Sequence, residues 1–531
     1  MFDLLLKNGD VYDGSGRVVC GQDIAIQDGI IVDIGKNLTG IAQQTIDASG
    51  LIVSPGFIDM HTHSDFTLIA DGRAESQVHQ GVTTEVIGQC GISCAPVVSK
   101  DSIKHVSPWF TSKAKYKGWL SFSEYLDALD ETTLGVNVMA FVGHGTIHRA
   151  VMGDTLEPGN PDDIKKMSRL TDQCFEEGAG GLSSGLEYFP GILSTPAHLT
   201  PICEIAAKKG RLYSTHVRNR DTDYAEGFME AITTAEKSGA KLQISHIQPK
   251  FGAPTHAMHH TLEMIDLARR NDVDVSFDVI PHDWNHTLMA AILPKWAQAG
   301  TIDDVMLRLS DPETRELIKS NPKPMWLLVK QKKWDDIILL SASVNRDLIG
   351  ATFEEIGRIR KCDPYDAVLD ILLEEGDEMM GCMWSSKSFK DTDVDLCLQQ
   401  NECAVISDTV AIATDGILKD HVGSLSGYGW AARFLAYYVR DRNILSLREA
   451  LLKITSIPAK RLGLIKRGEL KIGYHADLCV FDAEQIVSNA TAKNPRRYAS
   501  GIAHVIVNGK LSMLNGKRTK VNAGKVLRDF H

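Results

Sequence analysis

Ser54-Pro55-Gly56-Phe57-Ile58-Asp59-Met60-His61-Thr62-His63 is a short apolar run that opens on a turn and ends in two histidines one residue apart. Side chains along a strand alternate faces, so His61 and His63 project to the same side. Two imidazoles on one face at a strand end make half of a metal site. The question this stretch poses is whether other strand ends supply the other half.

Working outward, apolar segments alternate with amphipathic ones. Strand candidates are Gly56–His63, Thr83–Gln89, Gly135–Val142, Gly180–Gly185, Leu212–Val217, Leu242–Ile247, Val273–Val279 and Val410–Thr414. Helical patterns such as Pro161–Glu177, Ala225–Ser238 and Leu262–Asn271 lie between them. Strand–helix alternation of this kind predicts an α/β fold, a closed parallel (β/α)8 barrel of the TIM type. A doubly wound sheet is the competing topology. The count of eight strands, and the polar residues at nearly every strand end, favour the barrel.

The two chain ends share a different texture of short β segments and tight turns, such as Asp28-Gly29 near the start and Asn508-Gly509 near the finish. Neither end has enough strands for a sheet of its own. The expectation is one small β-sandwich built from 1–55 and 460–531, with the barrel, 56–459, inserted between. About 130 residues separate the seventh and eighth strand candidates. A length like that is no simple loop, and part of 285–350 is expected to form a lid over the barrel mouth.

Composition narrows the partners. The chain has 531 residues, 43% hydrophobic and 24% charged, with a formal charge of -11. That acidity argues against nucleic acid or an anionic membrane as the main partner. No apolar run is long enough to span a bilayer, and the N-terminus reads as a strand and turn. Ten cysteines are scattered without a CxxC pair, which points to free thiols in a cytoplasmic setting.

In a barrel of this kind chemistry sits at the C-terminal ends of the strands. Those ends read His61 and His63, then Cys90, His144, His216, His246 and His282, and finally Asp415. Any one of them is more often a packed residue than a ligand. Together, histidines at strands one, five and six, a cysteine at two and an acid at eight converge on one axial pocket. Histidine, thiolate and carboxylate suit zinc. Asp408, in Ser407-Asp408-Thr409, is a rival for the acid, ranked second because it precedes the strand assigned at Val410–Thr414. Cys94 is read as a small packed residue.

The chain resembles the amidohydrolase superfamily over nearly its full length, and within it the N-acyl-D-amino-acid deacylase (D-aminoacylase) group. The resemblance is carried by Pro55-Gly56-Phe57-Ile58-Asp59-Met60-His61-Thr62-His63-Ser64-Asp65, Gly88-Gln89-Cys90-Gly91, Gly143-His144-Gly145-Thr146, Thr215-His216-Val217-Arg218, Ile244-Ser245-His246 and Thr414-Asp415-Gly416. It implies a tighter zinc on Cys90, His216 and His246. A second, weaker divalent site would be formed by His61, His63 and Asp415 with Cys90 bridging. It implies hydrolysis of a small-molecule amide, Asp415 serving as general base and then acid. Arg218 is expected to hold a substrate carboxylate or a nearby acid, His144 to touch substrate, and Tyr188 to line the substrate pocket.

Three anchors depart from that group's pattern. A lysine position after strand six is Gln248, tyrosine positions after strand seven are Ile280 and His282, and no arginine follows His421. Either Lys250 and His282 grip a substrate carboxylate from shifted positions, or the substrate is a more neutral amide. A cyclic-amide hydrolase is the alternative enzyme, and a non-catalytic scaffold the alternative class. The β-domain edges leave room for a homo-oligomer.

Overall fold

The computed structural model describes residues 1–530 apart from 106, 108, 109, 154, 156, 188, 322–325, 420 and 422, and apart from the side chains of 105 and 380. Eight parallel strands form the central sheet. They are β1 (Phe57–Asp59), β2 (Val82–Ile87), β3 (Asn137–Gly143), β4 (Gly181–Gly185), β5 (Leu212–His216), β6 (Lys241–Ile244), β7 (Val275–Val279) and β8 (Cys403–Val405), each paired with the next in sequence. All are buried on both faces except at Lys241, as expected for a parallel sheet covered by helices. The barrel interior is filled by Ile58, Met60, Val86, Met139, Phe141, Leu212, Ile280 and Ala404, so it is a packed core.

The barrel closes just beyond its first and last strands. The Asp408 amide donates to the His61 carbonyl at 3.1 Å and the His63 amide to the Thr409 carbonyl at 2.7 Å. Thr62 and Thr409 form an isolated parallel bridge there. The seam of the barrel is therefore made by the His-x-His stretch and by Ser407-Asp408-Thr409.

This corrects the eighth strand. Val410–Thr414 is buried for most of its length but is not a strand. The strand is Cys403–Val405, which pairs with β7 from Phe277↔Cys403 to Val279↔Val405. Both segments are short and apolar, and periodicity alone does not separate them.

The chain ends meet in one nine-stranded sheet. Leu478–Phe481 lies antiparallel to Ile52–Pro55, which pairs in turn with Phe2–Tyr12. The Asp28-Gly29 turn has φ of 51° and 79°, the double positive φ of a tight hairpin whose twist matches its strands. Between β7 and β8, Asn285–Leu288, Met383–Ser386 and Ile337–Ser341 form a three-stranded antiparallel sheet. It carries its own core around Met289, Trp326, Trp334, Phe353 and Trp384. The expected 285–350 stretch supplies two of those strands; the third comes from beyond it. Among the described residues no helix is long and apolar enough to cross a membrane.

Candidate metal centre and its surroundings

Four of the strand-end residues converge. One ligand atom each from His61, Cys90, His246 and Asp408 lie within 4.8 Å of one another. Cys90 Sγ is 3.3 Å from His61 Nε2, 3.5 Å from His246 Nε2 and 3.7 Å from His216 Nδ1. Asp408 Oδ1 is 3.3 Å from His61 Nε2 and 3.2 Å from His63 Nε2, and its Oδ2 is 4.0 Å from His246 Nε2. Ligands bound at zinc distances around a tetrahedral ion stand roughly 3.3–3.8 Å apart, so the spacing and the donor chemistry both fit the metal.

The backbone is bent to make this convergence. Cys90, His246 and Asp408 have φ of 52°, 33° and 53°. Left-handed backbone at non-glycine residues costs about 1–3 kcal/mol each and persists only where neighbours enforce it. Each residue has its enforcers. Gly88, whose amide donates to Asp65 Oδ2 at 3.1 Å, starts the turn that carries Cys90. A Cβ at Gly88 would stand 2.0 Å from the Phe141 carbonyl oxygen, so only glycine fits. The His246 amide donates to Asp278 Oδ1 at 2.6 Å. The Ser407 amide donates to Asp59 Oδ1 at 3.1 Å, fixing the residue before Asp408. Gln77 in turn donates to Asp59 at 2.9 Å and to Glu85 at 2.8 Å.

Electrostatics complete the picture. Burial alone would push the Cys90 thiol up, but His61, His216 and His246 hold it well below its ordinary value. Burial would also raise Asp408, yet His246, His61 and His63 hold it well below the usual carboxylate range. A buried thiolate and a partly buried carboxylate thus sit inside a ring of imidazoles, an arrangement that a dication balances. His216 is oriented from behind: its Nε2 lies 2.7 Å from Glu187 Oε2, leaving Nδ1 toward Cys90.

Asp415, expected as both ligand and base, is elsewhere. Its side chain is 74% exposed and its Oδ1 accepts from Arg73 Nη2 at 2.8 Å. The misplaced eighth strand is the reason: counted from Cys403–Val405, the acid just past the strand end is Asp408.

The expected substrate residues are mostly committed to the protein itself. Gln248 donates to the Ile280 carbonyl at 2.7 Å and accepts from the Ile280 amide at 3.2 Å, which occupies both ends of its amide. Lys250 is ion-paired with Glu187 and covered by the Trp326 ring 4.1 Å away. Arg218 grips Glu230 at 2.7 and 2.9 Å and the carbonyls of Leu186, Ile192 and Ser194, tying down the loop that carries Glu187. His282 is buried, 3.4 Å from Asp283. His144 is buried at a helix start with Nε2 3.4 Å from Ser194 Oγ, and burial, then His148 and His198, lower it to about 3. It does not join the ligand group. Tyr188 lies outside the described residues. Cys94 is fully buried and its carbonyl accepts from Trp119 at 2.6 Å.

Three residues went unremarked in the sequence: Glu187, Arg220 and His286. His286 sits on the insertion strand Asn285–Leu288, close enough that Asp408, His63 and Cys90 act on it, and burial lowers it to about 4. Nothing in its local pattern marks it, because only the fold of the insertion brings it over the site.

Comparison with known proteins identifies the family. The amidohydrolase family model matches residues 44–266 and 407–513, a split that leaves out the insertion. The chain belongs to the amidohydrolase family. A D-aminoacylase of Alcaligenes xylosoxydans xylosoxydans is 30% identical over 536 residues, covering 99% of this chain and 97% of the relative. The structure of N-acyl-D-glutamate deacylase from Bordetella bronchiseptica, complexed with zinc and a phosphonate mimic of the tetrahedral intermediate, superposes with a TM-score of 0.81 at 26% identity, covering 99% of this chain and 100% of the other. A D-aminoacylase structure concerned with its binuclear metal centre, one-metal activation and second-metal attenuation has the same TM-score at 27% identity, with full coverage of both chains. This amidohydrolase therefore stands close to the N-acyl-D-amino-acid deacylases.

Proposed function

We propose that the protein is a zinc-dependent amidohydrolase that cleaves the amide of an N-acyl-D-amino-acid-like small molecule into a carboxylate and an amine. The observation that carries this is the placement of Asp408 against His61, His63 and His246, with Cys90 Sγ beside the rings of His61, His216 and His246. Cys90, His216 and His246 would hold one zinc. His61, His63 and Asp408, with Cys90 bridging, would hold a second divalent ion. Zinc held there would supply Lewis acidity toward a carbonyl and would make water ionise near neutral pH. Asp408, kept ionised by its imidazole neighbours, accepts the proton of the attacking water at a carboxylate oxygen. It then returns that proton to the leaving nitrogen. When the second ion is absent, His63 and His61 hold the carboxylate in place through that exchange. Glu187 fixes the His216 ring, Trp326 of the insertion covers Lys250, and His286 of the insertion stands near Asp408, His63 and Cys90.

All ten cysteines are free thiols, which supports a reducing, cytoplasmic setting. The test is a panel of N-acyl-D-amino acids, N-acyl-L-amino acids and neutral amides offered to zinc-loaded and chelator-treated enzyme. The proposal expects zinc-dependent release of a carboxylate and an amine in equal amounts from the D series. No release from any linear amide by zinc-loaded protein overturns it.

A further inference from the structure

Arg220 is a buried charge in this site with no ion-pair partner among the described residues; the carboxylate that feels its charge, Glu187, is already bonded to Lys250 and His216. Arg220 is 3% exposed. Its Nη1 donates to the carbonyls of His246 and Gln248, the former a metal-ligand residue. Its guanidinium carbon lies 5.7 Å from the Phe389 ring centroid. Its Nε is buried with no hydrogen-bond partner, and among the described residues no carboxylate lies within ion-pair distance of it. Neighbouring charges are already committed. Lys250 is matched by Glu187 and Arg218 by Glu230, while Asp221 Oδ1 accepts from Thr222. Lys295, exposed on the insertion, adds a further positive charge near Glu187 and Glu230. A buried guanidinium with idle donors is costly unless an anion meets it.

Resting on the deacylase reading above, we propose that Arg220 is the specificity residue that binds the free carboxylate of the substrate, through Nε and the Nη not used by the main chain. Guanidinium presents paired donors in the plane a carboxylate needs, so one residue replaces the anchors this chain has lost at Gln248 and His282. The same bonds to the His246 and Gln248 carbonyls that immobilise Arg220 set its distance from the metal-ligand strand end, so it measures the span from carboxylate to scissile amide. Lys250 and His282, the shifted anchors expected from sequence, are not available for that task, being paired with Glu187 and packed against Asp283.

The experiment uses matched pairs, each N-acetyl-D-amino acid beside its C-terminal carboxamide, with the zinc-loaded wild type, Arg220→Met, Arg220→Gln and, as a control, Lys295→Met. Gln retains a donor for the main-chain carbonyls, so it separates loss of charge from loss of the loop clamp. Wild type is expected to prefer the acid by on the order of 100-fold in kcat/KM, and both Arg220 variants to lose that preference mainly through KM. Calorimetric titration of the same acids and amides into Asp408→Asn protein, with and without Arg220→Gln, reads binding without turnover and is expected to show the same loss for acids only. Equal losses for acid and amide, or a preference that survives in Arg220→Gln and vanishes in Lys295→Met, would overturn the assignment. Absence of turnover on every compound would instead strike the deacylase reading, while the titration still decides Arg220.

Discussion

Replacing Asp408 by Asn separates the chemistry from the metal. The substitution keeps size and removes the charge and the proton-accepting oxygen. Asp408 approaches the His246 nitrogen only to 4.0 Å, so the Cys90, His216 and His246 set keeps its geometry when the carboxylate is gone. The His61 and His63 nitrogens at 3.3 and 3.2 Å lose their anion, so the second ion is the one released. General acid–base catalysis contributes about 10²–10⁴-fold, and here one group serves both proton transfers, so kcat should fall by at least about 10³-fold. Asp415→Asn is the matched control. Its carboxylate is 74% exposed and, among the described residues, ion-paired only with Arg73, so the change should leave kcat within about twofold and stability within about 1 kcal/mol. The assay is kcat at saturating N-acyl-D-amino acid together with zinc content by mass spectrometry. Asp408→Asn retaining one zinc and a tenth or more of wild-type kcat would refute the reasoning. So would a large loss in Asp415→Asn.

Glu187→Gln should lower KM-independent turnover modestly but cost stability heavily, because it strands the buried Lys250 ammonium; about 3–5 kcal/mol is expected, read as the shift in urea midpoint. A Glu187→Gln protein as stable as wild type would contradict the network. Glu85 gives a pH signature. Burial, then Asp59, raise its carboxyl to about 8 from an ordinary 4.5. The folded state therefore keeps a proton that the unfolded state has lost between those values, so wild-type stability should fall as pH rises through that window. The slope is about 1.4 kcal/mol per pH unit at most. Glu85→Gln should flatten that part of the profile and be the more stable protein at pH 8; identical pH profiles for the two would dispose of the assignment.

How the fold and the site were legible in the sequence differs from element to element. The His-x-His run, the cysteine after β2 and the histidines ending β5 and β6 could be read because each closes an apolar run, and burial on both faces makes such runs continuous. The acid could not be ranked correctly. Cys403–Val405 is three residues long, and the apolar stretch that follows Asp408 looks more like a strand than the strand does. What distinguishes Asp408 is a left-handed backbone and an amide bonded to the His61 carbonyl, and both are tertiary facts. Gln248, Lys250 and Arg218 are polar residues just past strand ends, but sequence does not show which neighbours engage them. Glu187 does so for Lys250 from 63 positions away. Arg220, four places past His216, carried the complementary signal: a second arginine in Arg218-Asn219-Arg220 with only one of the two matched by an acid in space.

The central claim is that one metal site forms around Cys90 at the C-terminal end of the barrel. Diffraction from zinc-loaded crystals on either side of the zinc absorption edge locates the ion directly. The account predicts an anomalous peak within roughly 2.0–2.4 Å of Cys90 Sγ, His216 Nδ1 and His246 Nε2, with any second peak beside His61, His63 and Asp408. A peak that avoids Cys90, or one coordinated by Asp415, would contradict it.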